Sequence, residues 1–370
     1  MSEANYEDIM SADKAKTMEE TDRKCPQCGA TLEYDPKTKG LFCPYCEYKE
    51  EIKAENTTGD AIAQELDFDK AEFTGNCDWG VAQKTVTCKS CGAVTVYDAL
   101  EVANVCPYCG SNQVMEASDV KTLAPNGVIP FEITAKQASA KFVTWIKKKW
   151  FAPRAAKESA HPDAFKGIYL PYWTFDADTS SDYTAEYGID KKVKRGDKEE
   201  VVTDWHRTRG HYDYFIDDQL VAASGSQNTR ILEKAEPYDT NNCKAYKPEY
   251  LAGFAAERYS VGLKDAWEKA KAFIKSRLEG LISSKIRDDH RADRVRNLQF
   301  TTSYSNITYK YVMLPVWVSS YVYKDKTYQF VVNGQSGKVG GDYPISPWRV
   351  LIAVFIGVAI VAAIYYLASM

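Results

Sequence analysis

Eight of the ten cysteines lie in the first third of the chain as four Cys-x-x-Cys pairs. The pairs form two sets, and fourteen residues separate the two pairs within each set. The first set is Cys25, Cys28, Cys43 and Cys46, and the second is Cys88, Cys91, Cys106 and Cys109. Two tight turns that each carry two thiolates match the tetrahedral coordination that zinc prefers. The spacing therefore predicts two small β zinc ribbons, each holding one structural Zn²⁺.

The residues around the pairs suit tight turns, since Gly follows three pairs and Pro follows the first cysteine of three pairs. A disulfide framework would suit a secreted protein, but the stretch 2–21 is polar and lacks the apolar core of a signal peptide. A redox Cys-x-x-Cys is a second alternative, and four pairs at a repeated spacing favour metal binding over it. The two remaining cysteines, Cys77 and Cys243, are expected to be ordinary free thiols.

A metal site closed by four cysteines leaves no open position for water or substrate, so both ribbons are expected to be structural rather than catalytic. Zinc ribbons often bind nucleic acid, which requires a cationic surface. No Arg occurs between Arg23 and Arg154, a span that contains both ribbons, and the whole chain has a formal net charge of −4. We therefore expect the ribbons to dock protein partners, with nucleic-acid binding as the alternative.

The stretch 350–367 contains eighteen residues without a charge. A helix of that length nearly spans a hydrocarbon core of ~30 Å, and Trp348 and Tyr365 suit its interfaces. A transmembrane helix is predicted over 348–367, with a buried core helix or a removable lipid-anchor signal as alternatives. Lys338 and Arg349 precede the span and no basic residue follows it, which favours a single-pass protein of the cell membrane with its body in the cytoplasm.

The middle of the chain repeats one order of elements. A helical pattern over 135–151 precedes the motif at 170–173, and a second helical pattern over 261–286 precedes a related motif at 314–317. Each motif reads Leu-Pro-x-Trp and is predicted to begin a strand, since Pro is tolerated at a strand start. The expected organisation is a disordered acidic tail 1–23, ribbon one 24–50, a linker 51–83, ribbon two 84–112, a duplicated α+β body with halves 127–250 and 251–347, and the membrane helix.

No pattern of catalytic residues stands out. His206 and His211 lie in a strand-like stretch that would direct them to opposite faces, and Asp217 with Asp218 is typical of a turn. The run 334–338 lacks the glycine spacing and the following helix of a phosphate loop, so it is predicted to be a hairpin turn. We expect no enzyme, no catalytic residue and no small-molecule substrate, although a site near 205–211 remains an alternative. The basic clusters at 147–149 and 287–296 suit solvated helix faces, anionic lipid or nucleic acid.

Several stretches together resemble one bacterial family. They are FCPYCEYKEEI, CPYCGS, VIPFEITAKQA, KKWFAPR, GIYLPYWTFDA and LPVWVSSYVYKDKTYQFVVNGQSGKVGG. The family comprises membrane-anchored proteins described as TFIIB-type zinc-ribbon proteins or as primosomal replication helicase-like proteins, and the resemblance extends from about Lys24 to the anchor. The helicase description finds no support, because the chain has no Walker A motif. The resemblance implies a membrane platform for SPFH-domain or phage-shock-type proteins, and it carries over only the eight cysteines as ligands. The expected function is a membrane-anchored adaptor for such cytosolic partners.

Overall fold

The computed structural model describes residues 24–52, 63–68, 70, 83–89, 94–98, 114–117, 123–158, 165–195, 198–224, 229–324 and 326–369. The predicted acidic tail lies outside these residues, as does most of the predicted second ribbon. The helices are α1 (Ala135–Lys148), α2 (Arg154–Glu158), α3 (Thr229–Ala235), α4 (Leu263–His290) and α5 (Pro347–Ser369). The strands are β1 (Glu33–Asp35), β2 (Gly40–Phe42), β3 (Lys49–Glu50), β4 (Leu66–Asp67), β5 (Gln83–Cys88), β6 (Val94–Asp98), β7 (Val114–Ala117), β8 (Gly127–Val128), β9 (Lys166–Arg195), β10 (Lys198–Ala222), β11 (Lys244–Ala245), β12 (Ala255–Glu257), β13 (Arg294–Tyr323), β14 (Lys326–Asn333) and β15 (Val339–Gly341).

Three very long strands dominate the body. β9 and β13 each run for 30 residues and lie antiparallel side by side, and β10 returns from β9 for 25 residues. In β9 the alternate residues from Phe175 to Ala185 are buried and face one side of the sheet, with Thr179 and Ser181 as the polar members of this row. This alternation leaves one apolar face, which requires a covering element.

Helix α4 covers that face. Seven of its residues are buried at steps of one, three or four, namely Ala266, Trp267, Ala270, Ile274, Leu278, Ile282 and Ile286. The helix contains 28 residues, so at ~1.5 Å per residue it extends for ~42 Å along the strands. The predicted helix at 261–286 is therefore confirmed, with an end four residues later than expected.

Helix α1 has a complete N-terminal capping box. The Gln137 N–H donates to the Thr134 hydroxyl at 3.4 Å, and the Thr134 N–H donates to the Gln137 side chain at 2.8 Å. Phe142 and Ile146 are buried on the apolar side of the helix. The helix predicted over 135–151 ends three residues early, at Lys148.

The two Leu-Pro-x-Trp motifs do not begin strands, so this prediction is wrong. Pro171 lies in the interior of β9, and Pro315 lies near the end of β13. On one edge of β9, pairing with β12 ends at Tyr169 and pairing with β10 begins at Tyr172. The Pro171 carbonyl faces this gap, where it accepts a hydrogen bond from the Ala223 N–H at 3.0 Å. Since N and C=O of one strand residue point to the same side, the missing N–H of Pro171 interrupts no ladder.

Pro315 occupies the matching gap on β13. Pairing with β8 ends at Met313, and pairing with β14 begins at Val316. The Pro315 carbonyl accepts from the Gly334 N–H at 2.8 Å. Both prolines therefore stand in a 30-residue strand at a point where two neighbouring strands meet end to end, which local sequence rules do not reveal.

The loops that lead into α1 and α4 are held by tryptophans from distant strands. Trp317 of β13 donates its indole N–H to the Ile133 carbonyl at 3.0 Å, just before α1. Trp173 of β9 donates its indole N–H to the Val261 carbonyl at 2.9 Å, just before α4. Leu170 stands directly opposite Leu314 in the β9–β13 register, midway between the two contacts.

The N-terminal region packs on the body instead of extending from it. The Tyr34 N–H donates to the Ala252 carbonyl at 3.0 Å, and the Tyr34 ring meets the Tyr250 ring edge-on at 5.8 Å. β4, which lies within the predicted linker 51–83, pairs with β13. β5, β6 and β7 continue the large sheet, because β6 pairs with β12.

Helix α5 is apolar on all sides, and its apolar window Pro347–Leu367 is entirely unburied. Among the described residues it is the one helix long and apolar enough to cross a membrane. Phe355 is 75% exposed and Val361 is 67% exposed. A core helix would bury such side chains, so the core-helix alternative does not fit.

Candidate metal centre

The first four cysteines meet at one point. The sulfur atoms of Cys25, Cys28, Cys43 and Cys46 all lie within 4.8 Å of one another. Cys25 Sγ lies 3.3 Å from Cys46 Sγ, and Cys28 Sγ lies 3.5 Å from Cys43 Sγ. None of the four forms a disulfide. Four sulfurs bound tetrahedrally at ~2.3 Å from one ion lie ~3.8 Å apart, so small movements of the side chains would bring this cluster onto an ion.

Two turns of the same design present the cysteines. In the first turn the Gly29 N–H donates to the Cys25 carbonyl at 2.8 Å, and the Cys25 N–H donates to the Ala30 carbonyl at 2.6 Å. In the second turn the Glu47 N–H donates to the Cys43 carbonyl at 3.0 Å, and the Cys43 N–H donates to the Tyr48 carbonyl at 2.9 Å. The repeated bonds orient each pair of thiols towards the other pair.

The residue after each pair adopts a left-handed backbone. Gly29 has φ of +74°, which costs glycine little, and Glu47 has φ of +60°, which is unfavourable for a residue with a Cβ. The pair that lacks a following glycine therefore forms the same turn under local strain. Both turns therefore have the same backbone geometry, as expected if the two cysteine pairs bind one ion.

The second turn favours a thiolate at Cys43. At Cys28 and Cys46, by contrast, backbone N–H groups act to lower the pKa, but contacts with neighbouring thiols outweigh them and raise it. Desolvation acts to raise the pKa of the Cys43 thiol, but hydrogen bonds from the backbone N–H groups of Cys46 and Tyr45 outweigh it and lower the pKa to about 7. A thiolate is the form that binds metal. The donor set, its spacing and its N–H groups thus all fit a bound cation.

The second cysteine set lies almost entirely outside the described residues. The backbone of Cys88 ends β5, whereas Cys91, Cys106, Cys109 and Cys77 lie outside the described residues. Cys243, predicted to be a free thiol, is buried and forms no disulfide. Within the part of the chain that the structure describes, one four-cysteine cluster is present.

A buried ionic cluster lies where β4 joins the long strands, and sequence patterns did not indicate it. The Lys310 ammonium lies 2.7 Å from Asp218 and 3.3 Å from Glu65, and the Asp218 N–H donates to Asp176 at 2.5 Å. Asp218 has φ of +47° at a bulge within β10, so the turn predicted at Asp217 and Asp218 is instead a bulge. The bulge directs Asp218 towards Lys310.

Asp176 and Glu65 form a coupled pair of carboxyls. Burial and the hydrogen bond with Glu65 together raise the pKa of Asp176 to about 7. Burial also acts to raise the pKa of Glu65, but hydrogen bonds from Asp176 and Thr308 and the charge of Lys310 outweigh it and lower the pKa. The two carboxyls therefore share a proton, because two adjacent negative charges would repel.

The folded protein is expected to lose stability as the pH rises from about 4 to about 7, because the raised pKa of Asp176 makes the folded state bind more protons than the unfolded chain in that window. At ~1.4 kcal/mol per pKa unit, the loss amounts to at most about 4 kcal/mol. Asp176→Asn keeps the acceptor for the Asp218 N–H and is expected to reduce this pH slope in chemical unfolding. Part of the slope is expected to remain, because burial also raises the pKa of Glu236 to about 7. Asp178→Asn, at an exposed position on the same strand, is the control. An unchanged slope in Asp176→Asn would contradict the assignment.

His211 lies between hydrogen-bonding groups that superficially form a hydrolytic triad. Its Nε2 lies 3.0 Å from the Ser180 hydroxyl, and its Nδ1 lies 2.8 Å from Asp182. Nε2 also lies 2.9 Å from Asp213. Hydrogen bonds to Asp182 and then to Asp213 raise the pKa of His211, which favours an imidazolium that donates from both nitrogens. Asp213 competes with Ser180 for Nε2, and the side chains of Asp182 and Asp213 are both exposed, so the arrangement differs from a triad, in which one buried acid orients the base.

The two histidines of β10 and the run 334–338 lie where the sequence predicted them. His206 and His211 lie in β10, five residues apart, so they face opposite sides of the sheet. The run 334–338 forms the predicted turn between β14 and β15, and Asn333 accepts N–H bonds from Gln335 and Ser336 at 2.9 Å each. No helix follows this turn, which excludes the strand–loop–helix arrangement of a phosphate loop.

The chain is similar over nearly its whole length to a known protein. No protein-family model matches the chain, and no solved structure matches it. The relative is the uncharacterized protein YdjG of Bacillus subtilis (strain 168), which is 31% identical over 349 residues. The match covers 91% of this chain and 93% of the relative, so it includes nearly the whole of both proteins. The chain therefore belongs to the same family as Bacillus subtilis YdjG.

Proposed function

We propose that this protein is a membrane-anchored adaptor whose metal-bound N-terminal module presents a docking surface to a protein partner. The observation that carries the proposal is Tyr45, which lies between two cysteines of the cluster with 80% of its surface exposed. Aromatic side chains on rigid supports are common anchors of protein interfaces, since they bury a large area at little cost in conformational entropy. Tyr34, from the same module, packs on the body, so the Tyr45 loop is held in a defined place.

The metal is zinc in this proposal, and each cysteine set binds one ion in a ribbon. Four thiolates in a closed tetrahedron suit zinc, which has no redox chemistry and no geometric preference of its own. The second set has the same spacing as the first, which supports a second site at Cys88, Cys91, Cys106 and Cys109. Both ions are structural, because a closed shell leaves no ligand position for a substrate.

The body is a duplicated α+β unit in this proposal. Support comes from the reciprocal contacts of Trp173 and Trp317, each of which binds the loop before the helix of the other half. Further support comes from the parallel strand pairs: Val128 pairs with Met313, and Ala256 pairs with Tyr169. The halves 127–250 and 251–347 thus exchange equivalent contacts across the β9–β13 pair, which suits a rigid scaffold without a catalytic role.

Helix α5 crosses the cell membrane once, and the body lies in the cytoplasm. The complete exposure of the apolar window supports the span, and the basic residues on its N-terminal side support the orientation. A reducing cytoplasm also keeps zinc-binding thiolates reduced. The resemblance described above suggests SPFH-domain or phage-shock-type proteins as the partners that the adaptor recruits.

The test is co-purification of cross-linked partners from membranes that contain wild-type protein or Tyr45→Ala. Truncation of an exposed side chain leaves the four ligands intact, so zinc content is expected to remain unchanged while at least one specific partner is lost. Lys37→Ala, at an exposed position of the same module, is the matched control. Identical partner sets for wild type and Tyr45→Ala would refute docking through this loop. Nucleic acid in place of protein in the cross-linked material would favour the alternative function.

A further inference from the structure

A basic and aromatic surface surrounds the start of α5. The segment 147–158, which ends α1 and forms α2, contains five cations and one carboxylate. The cations are Lys147, Lys148, Lys149, Arg154 and Lys157, and the carboxylate is Glu158. We call these six residues together with Trp150 the α1–α2 patch. The patch has a net positive charge, whereas the whole chain has a formal net charge of −4.

Hydrogen bonds fix this patch to the start of α5. The Arg349 guanidinium donates to the Trp150 carbonyl at 2.5 Å and to the Ala152 carbonyl at 2.9 Å. The Ser346 N–H donates to the Phe151 carbonyl at 2.9 Å. The patch therefore sits beside the first turn of the apolar helix.

Three of the five cations of the patch are exposed, whereas the Lys157 ammonium donates to the Lys147 carbonyl at 2.9 Å. Lys147 and Lys148 are exposed, and the Arg154 side chain is 90% exposed with its carboxylate neighbour, Glu158, 3.9 Å away. The Lys149 ammonium lies over the rings of Trp145 and Tyr343, at 4.7 and 5.4 Å from their centroids, which holds its stem against the segment that enters α5. These positive charges lie together on one side of the molecule.

Three exposed apolar side chains lie in the patch or at the start of α5. Trp150 is 49% exposed, Ile345 is 61% exposed and Trp348 is 71% exposed. Trp prefers the boundary between headgroups and acyl chains, and Lys or Arg beside it attracts anionic lipid. Exposed apolar side chains and cations at the start of an apolar helix together match the chemistry of an acidic bilayer surface.

We infer that the α1–α2 patch binds the anionic headgroups of the membrane that α5 crosses, and that it holds the body flat against the bilayer. The inference rests on the proposed span, because only a membrane-inserted α5 brings the patch to headgroup level. It adds a lipid preference that the span alone does not require. A fixed orientation would in turn set the height of the Tyr45 loop above the membrane.

The experiment compares the full chain in nanodiscs of phosphatidylcholine alone with nanodiscs that also contain phosphatidylglycerol. The acetylation rates of Lys147 and Lys148 are expected to fall about fivefold in the anionic discs, which is the effect of one basic group near an anionic surface. Lys192 and Lys194, near the hairpin end of β9, are exposed internal controls and are expected to change little. Equal rates for Lys147 and Lys148 in the two lipids would overturn the inference.

Charge-reversal variants test the same surface by hydrogen exchange. In the wild type, the backbone amides of 149–158 are expected to exchange more slowly in the anionic discs. Lys147→Glu with Lys148→Glu is expected to remove this difference, whereas Lys192→Glu with Lys194→Glu, an equal change of charge, is expected to keep it. An alkaline wash separates the two proposals. Release of the protein refutes the span and the inference together, whereas retention without any lipid dependence refutes the inference alone.

Discussion

Removal of the metal by a chelator, or the double substitution Cys25→Ser with Cys28→Ser, is expected to unfold residues 24–52. The core of this module is small, with Leu32, Tyr34 and Leu41 as its buried residues outside the cysteines. Structural zinc contributes ~10–16 kcal/mol to the folding of comparable small domains, far more than such a core can supply. Hydrogen exchange of the 24–52 amides and metal content by mass spectrometry are the measurements.

The loss is expected to extend to the surface that the module covers. Because the Tyr34 N–H binds the Ala252 carbonyl and its ring packs on Tyr250, amides in 248–254 should exchange faster as well. Cys243→Ala is the control, since this buried thiol lies outside the cluster and should leave metal content unchanged. Retained protection of 24–52 in the metal-free protein would show that the module folds without an ion.

Truncation of either motif tryptophan is expected to destabilise the body strongly. Trp173 is fully buried and Trp317 is 7% exposed, and loss of a buried Trp side chain to Ala costs ~3–5 kcal/mol. Trp173→Phe and Trp317→Phe should each cost less, ~1–3 kcal/mol, because the ring remains while the Val261 or Ile133 carbonyl loses its donor. Chemical unfolding of the full chain in detergent measures all four variants.

The equivalence of the two tryptophans makes this a test of the proposed duplication. If the halves exchange equivalent contacts, the two Ala variants should differ by less than either differs from the wild type. Trp348→Ala, at an exposed position in the first turn of α5, serves as the control and should leave the midpoint of body unfolding unchanged. A large effect at Trp173 alone would show that the second contact is incidental.

Local features of the fold could be predicted from the sequence because neighbours along the chain determine them. The Cys-x-x-Cys spacing predicted the meeting of Cys25, Cys28, Cys43 and Cys46, since two tight turns present their thiols whatever surrounds them. The three- and four-residue steps of buried side chains predicted α4 to within a few residues at each end. The uncharged stretch 350–367 predicted a helix apolar on all sides, and α5 is one.

The turn around Glu47 marks the limit of such local rules. Glycine after three pairs indicated a left-handed residue, and its absence after the fourth pair suggested nothing about φ. Glu47 nevertheless adopts φ of +60°, because its N–H must reach the Cys43 carbonyl for the two turns to match. A shared site imposes this conformation on a residue whose own preference opposes it.

Non-local pairing decided the rest. The prolines at 171 and 315 suggested strand starts, yet they lie inside 30-residue strands because two neighbouring strands meet end to end beside each of them. Asp176, Asp218 and Lys310 carry no spacing signal, since their contacts join residues 42 and 92 positions apart across a register that bulges shift. The sequence by itself determined the cysteine cluster, the main helices and the apolar segment. Only the tertiary structure decided how they join, because strand register and burial depend on residues that are distant along the chain.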